Sequence, residues 1–400
     1  MMEDANLFKN ITILSLEQAT VLPYLTLRLA EDGANVIRME HPVYGDPNRR
    51  IGDDVLKEDR MFSYYLSINA GKKGLTLDIG TPEGQKILND LILKLKVDIF
   101  TTNQLPRNYA KLGIEYEMLK KIKEDIIWLG MTGFGPQSNE AAYDPVLQAR
   151  GGLMELTGEK SGSPQVMGIP LPDMGASEHG YGLLMKALYK RAVTGEGTRI
   201  DLSMFESTTS WLTQAITHTV TFKKKVSRRG NTHEFFAPVS VYETKNGYVY
   251  IAVGNDRQWE TITKIPGFES LYKKEYERNA GRIGDVENLN RAINAITKRF
   301  TTEELIDIFN KATIAISKVN TIEEVVEDPL VKPNLIRSKD PKTGLEITVA
   351  PPPFNTPYLK SANRMLSFPP RFGEHNEEIY VGLLGYSAEQ LKELKEKNII

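Results

Sequence analysis

The 400-residue chain contains no cysteine. Disulfide staples, thiolate catalysis and cysteine-based metal sites are thereby excluded, which leaves carboxylates, hydroxyls, lysine and histidine to carry any chemistry. An excess of one charge is also missing, because 50 basic residues face 52 acidic ones and the formal net charge is -2. Such a balance offers no global field to nucleic acid or to an anionic membrane surface, so an anionic ligand must be held by local cations. No apolar run reaches the length of a membrane span, and the opening "MMEDANLFKN" lacks the basic start and apolar stretch of a secretory signal. A soluble cytoplasmic protein is the expectation.

Histidine is scarce and scattered. His41, His179, His218, His233 and His375 show no paired metal-binding spacing, so no metal is expected. Neither a GxSxG elbow nor a P-loop occurs. The turn after the first apolar run reads "EQATVLPY" (17–24) and has no glycine, which denies a pyrophosphate the close backbone approach of a dinucleotide-binding fold.

What is present is a regular alternation. "ITILSL" (11–16), "NVIRME" (35–40), "LTLDI" (75–79), "VDIFTT" (97–102) and "IIWLGMTG" (126–133) read as strands, with helix-like segments between them. Runs of this kind indicate βαβ units around a parallel sheet. Thr81 and Pro82 mark one helix start, while Thr301 with Glu304 and Ser387 with Gln390 have capping-box spacing. A further strand, "RIDLSM" (199–204), precedes one long helix, "FESTTSWLTQAITHTVTF" (205–222).

The predicted fold class is α/β, with a Rossmann-like large domain built on a parallel sheet plus a smaller α+β domain. The large domain takes 1–222, a basic polar linker 223–233, the small domain 234–330, and the rest, 331–400, opens with a Pro-rich return connection, extended or looped over 336–361, and completes the large domain.

Candidate chemistry concentrates in "GIPLPDMGASEHGYGLLMKALYKRAVTGEGTRIDLSMFE" (168–206). Asp173 stands just ahead of an apolar-periodic run, where a carboxylate can cap the free N–H groups of a helix. His179, six residues on, would point to a different face. The stretches "HPVYGDPNRR" (41–50) and "NAGKKG" (69–74) combine cations with turn residues able to hold phosphates. "TTNQLPRNYAKLG" (101–113) follows a strand, where open α/β sheets bind ligands. On pattern alone, Asp173 reads as a helix cap and the stretches 41–50 and 69–74 as surface turns with solvated charges.

Nearly the whole chain resembles one family. From "LPYLTLRLAEDGANVIRMEHPVYGDPNRR" through "NAGKKGLTLDIGTPEGQKIL", "MTGFGP" and "YDPVLQARGGLMELTGE" to the 168–206 stretch and the ending "FGEHNEEIYVGLLGYSAEQLKELKEKNII", it is similar to the family III CoA-transferases, also called the CaiB/BaiF family. That group includes formyl-CoA, carnitine and aromatic or dicarboxylic acid CoA-transferases, together with 2-methylacyl-CoA racemases.

The resemblance implies that Asp173 is the nucleophile. It would pass through mixed anhydrides and an aspartyl-CoA thioester, needing no base because a carboxylate with an ordinary pKa of about 3.9 is ionised at neutral pH. Gly175 is expected to allow close approach of oxyanion donors. CoA-contacting positions carried over by the motifs are Arg38, His41, Lys72, Lys73, Asn103, Gln104, Lys111, Tyr143 and Asp144. Lys111 replaces an arginine, which keeps charge but loses the bidentate fork. Val21-Leu22 and "QLPR" depart from the family's usual residues, and no glycine-rich "GGGGQ" flap is present, which counts against the formyl-CoA branch.

No permanently bound cofactor is implied, coenzyme A and acyl-CoA being substrates. The implied partners are small carboxylic acids and a second copy of the chain in an interlocked homodimer. Succinyl-CoA is a candidate donor, and no nucleic acid or membrane is involved. Two alternatives stay open. One is a 2-methylacyl-CoA racemase, whose family pattern has histidine where this chain has Tyr143; the other is a catalytically silent CoA-transferase partner subunit.

Overall fold

The computed structural model describes residues 6–400. The chain divides into two units, one made of residues up to Gly152, Met167–Ile216 and Pro329–Ile400, the other of Leu153–Val166 and Thr217–Asp328.

The first unit is built on six parallel strands, β1 (Thr12–Leu16), β2 (Asn35–Glu40), β3 (Lys73–Thr76), β4 (Ile99–Thr102), β5 (Ile127–Thr132) and β6 (Thr198–Ser203), in the order β3-β2-β1-β4-β5-β6. The direction of winding reverses between β1 and β4, so the loops at the carboxyl ends of these two strands frame the crevice in which such sheets place ligands. Side chains alternate across the sheet as a period of two requires. Leu14, Leu16, Phe100 and Trp128 enter one core with helix Pro82–Lys94, and Ile13, Ile99, Ile127 and Leu129 enter the other with helices Val21–Glu31 and Leu171–Thr194.

The end of the chain closes the first of these cores. Ile379, Tyr380, Leu394 and Ile399 are buried in it, the Tyr380 hydroxyl donates to Thr76 O at 2.7 Å, and Asp78 N–H donates to Ile399 O at 2.7 Å. Such bonds explain why the third strand stops at Thr76 rather than running to Ile79, because beyond Thr76 and Leu77 the backbone pairs with the returning chain instead of with the sheet.

Two further expectations change. The segment 336–361 is not a plain connection: β-strands Ile336–Lys339 and Glu346–Val349 pair antiparallel, and Met365–Leu366 adds a third strand parallel to the first. That third partner lies outside the Pro-rich stretch and could not be read from it. The long helix expected over 205–222 is two helices, Met204–Ser210 and Thr213–Val220. At the break, Trp211 and Leu212 N–H groups donate three residues back, to Thr208 O and Thr209 O.

The second unit carries the antiparallel strands Val239–Thr244, Gly247–Ala252 and Ala315–Lys318. Helices Asp256–Ile262, Val286–Thr297 and Thr302–Lys311 bury Trp259, Leu289, Ile293, Leu305 and Phe309 against them. The capping box at Thr301 and Glu304 is formed, as is the one at Ser387 and Gln390 in the first unit. Residues 223–233 have no regular structure but are tied down, with Arg228 bonding Glu155 at 2.6 Å and Gly230 N–H donating to Gly158 O at 3.0 Å. Among the described residues no helix is long and apolar enough to cross a membrane.

Replacing Tyr380 by Ala removes a fully buried ring and its hydrogen bond to β3. A loss of about 3–5 kcal/mol is expected, measured as a shift in the urea midpoint at unchanged slope.

Candidate active site

Helix Leu171–Thr194 starts two residues before Asp173, with Pro170 at the N-cap and no side chain capping it. Asp173 therefore sits in the first turn and is not the cap that its position in the sequence suggests. Its own amide, one of the donors a helix start leaves unpaired, donates instead to Asp144 Oδ2 at 3.2 Å. The capping job has passed to another helix, Asp144–Arg150, and the Asp173 carboxyl is left with no hydrogen-bond partner among the described residues.

Asp144 is nearly buried, and both its oxygens are committed. Oδ1 accepts from Gln148 Nε2 at 2.6 Å and Oδ2 from the Asp173 amide. Gln148 Oε1 in turn accepts the Met167 amide at 2.8 Å. Two carboxyls thus stand side by side. Burial pushes the Asp173 pKa up, and the neighbouring Asp144 charge adds to it, to about 7. Burial also raises Asp144, with the Gln148 and Asp173 N–H donors pulling the other way. The expectation of an ordinary pKa near 3.9 for Asp173 is corrected for this reason.

The opposite side of the helix is occupied differently. A Cβ on Gly175 would lie 3.0 Å from Trp211 Nε1, so this glycine admits an indole rather than the oxyanion donors expected of it. The same indole stacks on His179 with ring centroids 5.0 Å apart, and His179 Nδ1 lies 2.7 Å from Ser207 Oγ. Positions 175 and 179 are about 200° and 240° around the helix from position 173, so His179 stands away from the carboxyl. The Asp173 side is fixed by Ser177, whose hydroxyl donates to Val21 O at 2.6 Å and so joins the helix to the first turn of helix Val21–Glu31.

That turn follows β1 and is held unusually firmly. Asn103, at the end of β4, brackets Gln18, accepting its N–H at 3.2 Å and donating to its carbonyl at 2.8 Å. Ala19 has a left-handed φ of 63°, which for a residue with a Cβ costs on the order of 1–3 kcal/mol and persists only where surroundings impose it. Here Asp46 accepts the Ala19 amide at 3.0 Å and Asn48 donates to its carbonyl at 2.7 Å.

Beneath the turn lies a cluster of buried charges. Arg38 donates to Asn69 at 2.6 Å and to Asp46 at 2.8 Å, and Lys72 donates to Glu17 at 3.1 Å, Asn69 at 2.8 Å and Pro23 O at 2.7 Å. Although burial pushes Glu17 up, Lys72 and Arg38 outweigh it and hold the carboxyl below its ordinary range. Arg38 and Arg49 do the same to Glu40, down to about 2.

The structure therefore separates the residues carried over from sequence. Arg38 and Lys72 are fully enclosed and spend their cations inside the protein. His41 accepts the Val43 amide at Nδ1 and keeps Nε2 3.7 Å from Asp78, beside the exposed Tyr44 ring. Lys73 pairs with Glu378 at 2.5 Å. Gln104 is part-buried, and Lys111 is exposed at the end of helix Tyr109–Leu112. Tyr143 is 72% exposed beside Asp144. Gln148, Gln18 and the strained Ala19 were missed. The four-residue spacing of Asp144 and Gln148 was a usable signal, since such pairs meet on one helix face.

The sequence profile described as CoA-transferase family III matches residues 8–376. The chain belongs to that family. It is an enzyme of that family, and the relatives it matches are CoA-transferases. The succinyl-CoA:glutarate CoA-transferase of Mus musculus is 29% identical over 391 residues, which cover 96% of this chain and 88% of the relative. The succinate–glutarate CoA-transferase of Agrobacterium fabrum is 27% identical, covering 93% of this chain and 94% of that one. A CaiB/BaiF family protein from Brucella suis has the same fold, with a TM-score of 0.81 at 28% identity, covering 94% of this chain and 99% of that structure.

The raised Asp173 pKa has a consequence for stability. In the unfolded chain the carboxyl releases its proton near pH 4, in the folded protein only near 7. The native state binds the extra proton between these values, so this group's contribution to stability falls as pH rises from about 4 to about 7 and is level above. Asp173→Asn should therefore melt at a higher temperature than the wild type at pH 8, with the difference fading towards pH 4. Thermal unfolding of both proteins across that range measures it.

Proposed function

We propose that the chain moves CoA from an acyl-CoA donor to a carboxylic acid through covalent catalysis by Asp173. The observation that carries this reading is a carboxyl without a hydrogen-bond partner, crowded by a second carboxylate, on a helix start joined to the turn after β1.

The Asp173 carboxylate attacks the thioester carbonyl of the donor. The C–S bond breaks, CoA leaves as thiolate, and a mixed anhydride remains. The thiolate then attacks the Asp173 carbonyl of the anhydride, releasing the donor acid as carboxylate and leaving an aspartyl-CoA thioester. An acceptor carboxylate attacks that thioester and again expels thiolate, and the thiolate takes the acceptor acyl group from the second anhydride. Asp173 is regenerated, with no net change in protons or electrons.

Crowding favours the covalent steps. Each acylation of Asp173 replaces an anion repelled by Asp144 with a neutral acyl group, so the ionised ground state is destabilised relative to the intermediates.

Succinyl-CoA as donor and a short dicarboxylic acid such as glutarate as acceptor form the substrate pair to test first, because the relatives named above carry those substrates in their names. For the nucleotide end of CoA, Lys73 and Lys111 supply candidate cations and His41 a candidate ring nitrogen, with Asn103 and Gln104 beside the β4 loop. Arg38 and Lys72 would act indirectly, by holding the Gln18–Thr20 turn. We infer an interlocked homodimer as well, since helix Thr213–Val220 has no buried residue and Trp211, Ile216, Val220 and Phe222 all stand exposed along this stretch.

The test is a panel of acyl-CoA donors and free acids read by mass spectrometry for new thioesters. Asp173→Ala should lose at least about 1,000-fold in kcat while still folding and melting cooperatively, at no lower temperature than the wild type. In the wild type, hydroxylamine added during turnover should convert Asp173 to a hydroxamate. Solvent deuterium appearing at the α-carbon of an acyl-CoA without any acceptor acid would favour a racemase instead.

A further inference from the structure

Gln148 lies on the buried side of helix Asp144–Arg150 and is 1% exposed. Its amide is used at both ends. Nε2 donates to Asp144 Oδ1 at 2.6 Å, and Oε1 accepts the Met167 amide at 2.8 Å. The orientation is forced by chemistry, because an ionised carboxylate only accepts and a backbone N–H only donates.

Each end controls something different. The Met167 bond is the one hydrogen bond, among the described residues, that anchors the irregular Met167–Ile169 approach to the Asp173 helix onto a neighbouring element. The Asp144 bond fixes how that carboxylate is turned, and hence whether its other oxygen meets the Asp173 amide.

We propose that Gln148 is a positioning residue for CoA transfer, one that aligns Asp144 with the Asp173 amide and docks the approach segment of the nucleophile helix. The inference rests on the reading of Asp173 as nucleophile and adds to it the device that places this group. Gln148 touches neither substrate nor reacting atoms; it acts through Asp144 and Met167.

The electrostatics around Asp173 are simple enough to make this testable by pH. The elements packed on its helix bring Arg28 and Glu31 on helix Val21–Glu31, Asp144 and Arg150 on the Gln148 helix, Glu206 on helix Met204–Ser210, and Arg199 and Asp201, paired with each other, on β6. Of these only Asp144 acts appreciably on the Asp173 carboxyl. With Gln148 donating to it, the Asp144 anion is favoured against the effect of burial, and Asp173 titrates late. Without that donor, Asp144 competes for the proton and Asp173 ionises at lower pH.

The experiment compares Gln148→Leu, Gln148→Glu, Asp144→Asn and the double variant Asp144→Asn/Gln148→Glu with the wild type, using succinyl-CoA and glutarate or whichever pair the panel identifies. Gln148→Leu should lose about 10- to 100-fold in kcat, the scale expected for a small misplacement of a reacting group, with little change in KM for the acyl-CoA. Its acid limb in kcat/KM should move below the wild-type value near pH 7. Each of Asp144→Asn and Gln148→Glu places like partners face to face, donor on donor or carboxylate on carboxylate. Combined, they restore complementarity, because an amide at 144 can donate to a carboxylate at 148 that still accepts the Met167 amide.

The double variant should therefore recover at least about tenfold in kcat over both single variants, a coupling that a merely space-filling role does not produce. Wild-type kcat and an unmoved acid limb in Gln148→Leu, or a double variant no better than its worse parent, would overturn the inference. Hydroxylamine labelling of wild-type Asp173 is run alongside. Labelling with indifferent Gln148 variants overturns only the positioning role, whereas a wild type that is never labelled overturns the nucleophile reading and the inference with it.

Discussion

The Asp173 helix begins without a capping side chain of its own, and the Asp144 carboxylate supplies what is missing. That single hydrogen bond determines the character of the site. By accepting the Asp173 amide from outside, Asp144 relieves the helix of the need for a local cap and frees the Asp173 side chain from structural duty. The bond also brings a negative charge to the place where a second carboxyl must ionise. A carboxyl that is unbonded, half-buried and repelled costs stability and gains reactivity, and the two effects have the same origin.

The rest of the first unit maintains this arrangement. Ser177 joins the helix to the turn after β1, and that turn is held in a left-handed conformation at Ala19 by Asp46, Asn48 and Asn103. Behind it, Glu17, Lys72, Arg38, Glu40 and Arg49 form a buried set of alternating charges. Buried ion pairs contribute little net stability over apolar packing, but removing one partner leaves an uncompensated charge. Their effect here is directional: they specify one backbone path at the crevice where the sheet reverses.

Much of the architecture was legible. The five early strands, the parallel sheet and the helix caps at Thr81, Thr301 and Ser387 follow from apolar alternation and short-range hydrogen bonding, which neighbours in sequence decide. Errors occur where a distant partner intervenes. The third strand ends early because the returning C-terminal chain takes its bonds, and the segment 336–361 gains sheet structure from Met365–Leu366. Residues 153–166 belong to the second unit although they precede the Asp173 helix, an assignment made by contacts with Arg228 and Gly230 that no local pattern announces.

The same division runs through the site. Residue order by itself determined the family resemblance, the choice of Asp173 and the absence of thiol chemistry, because these depend on which side chains exist and in what succession. It could not determine that Asp173 is not the helix cap, that its pKa rises, that Gly175 faces an indole, or that Arg38 and Lys72 are spent on internal partners. Those facts are properties of solvent exclusion and of charges brought within a few ångströms across long stretches of chain. Only the tertiary structure decides either.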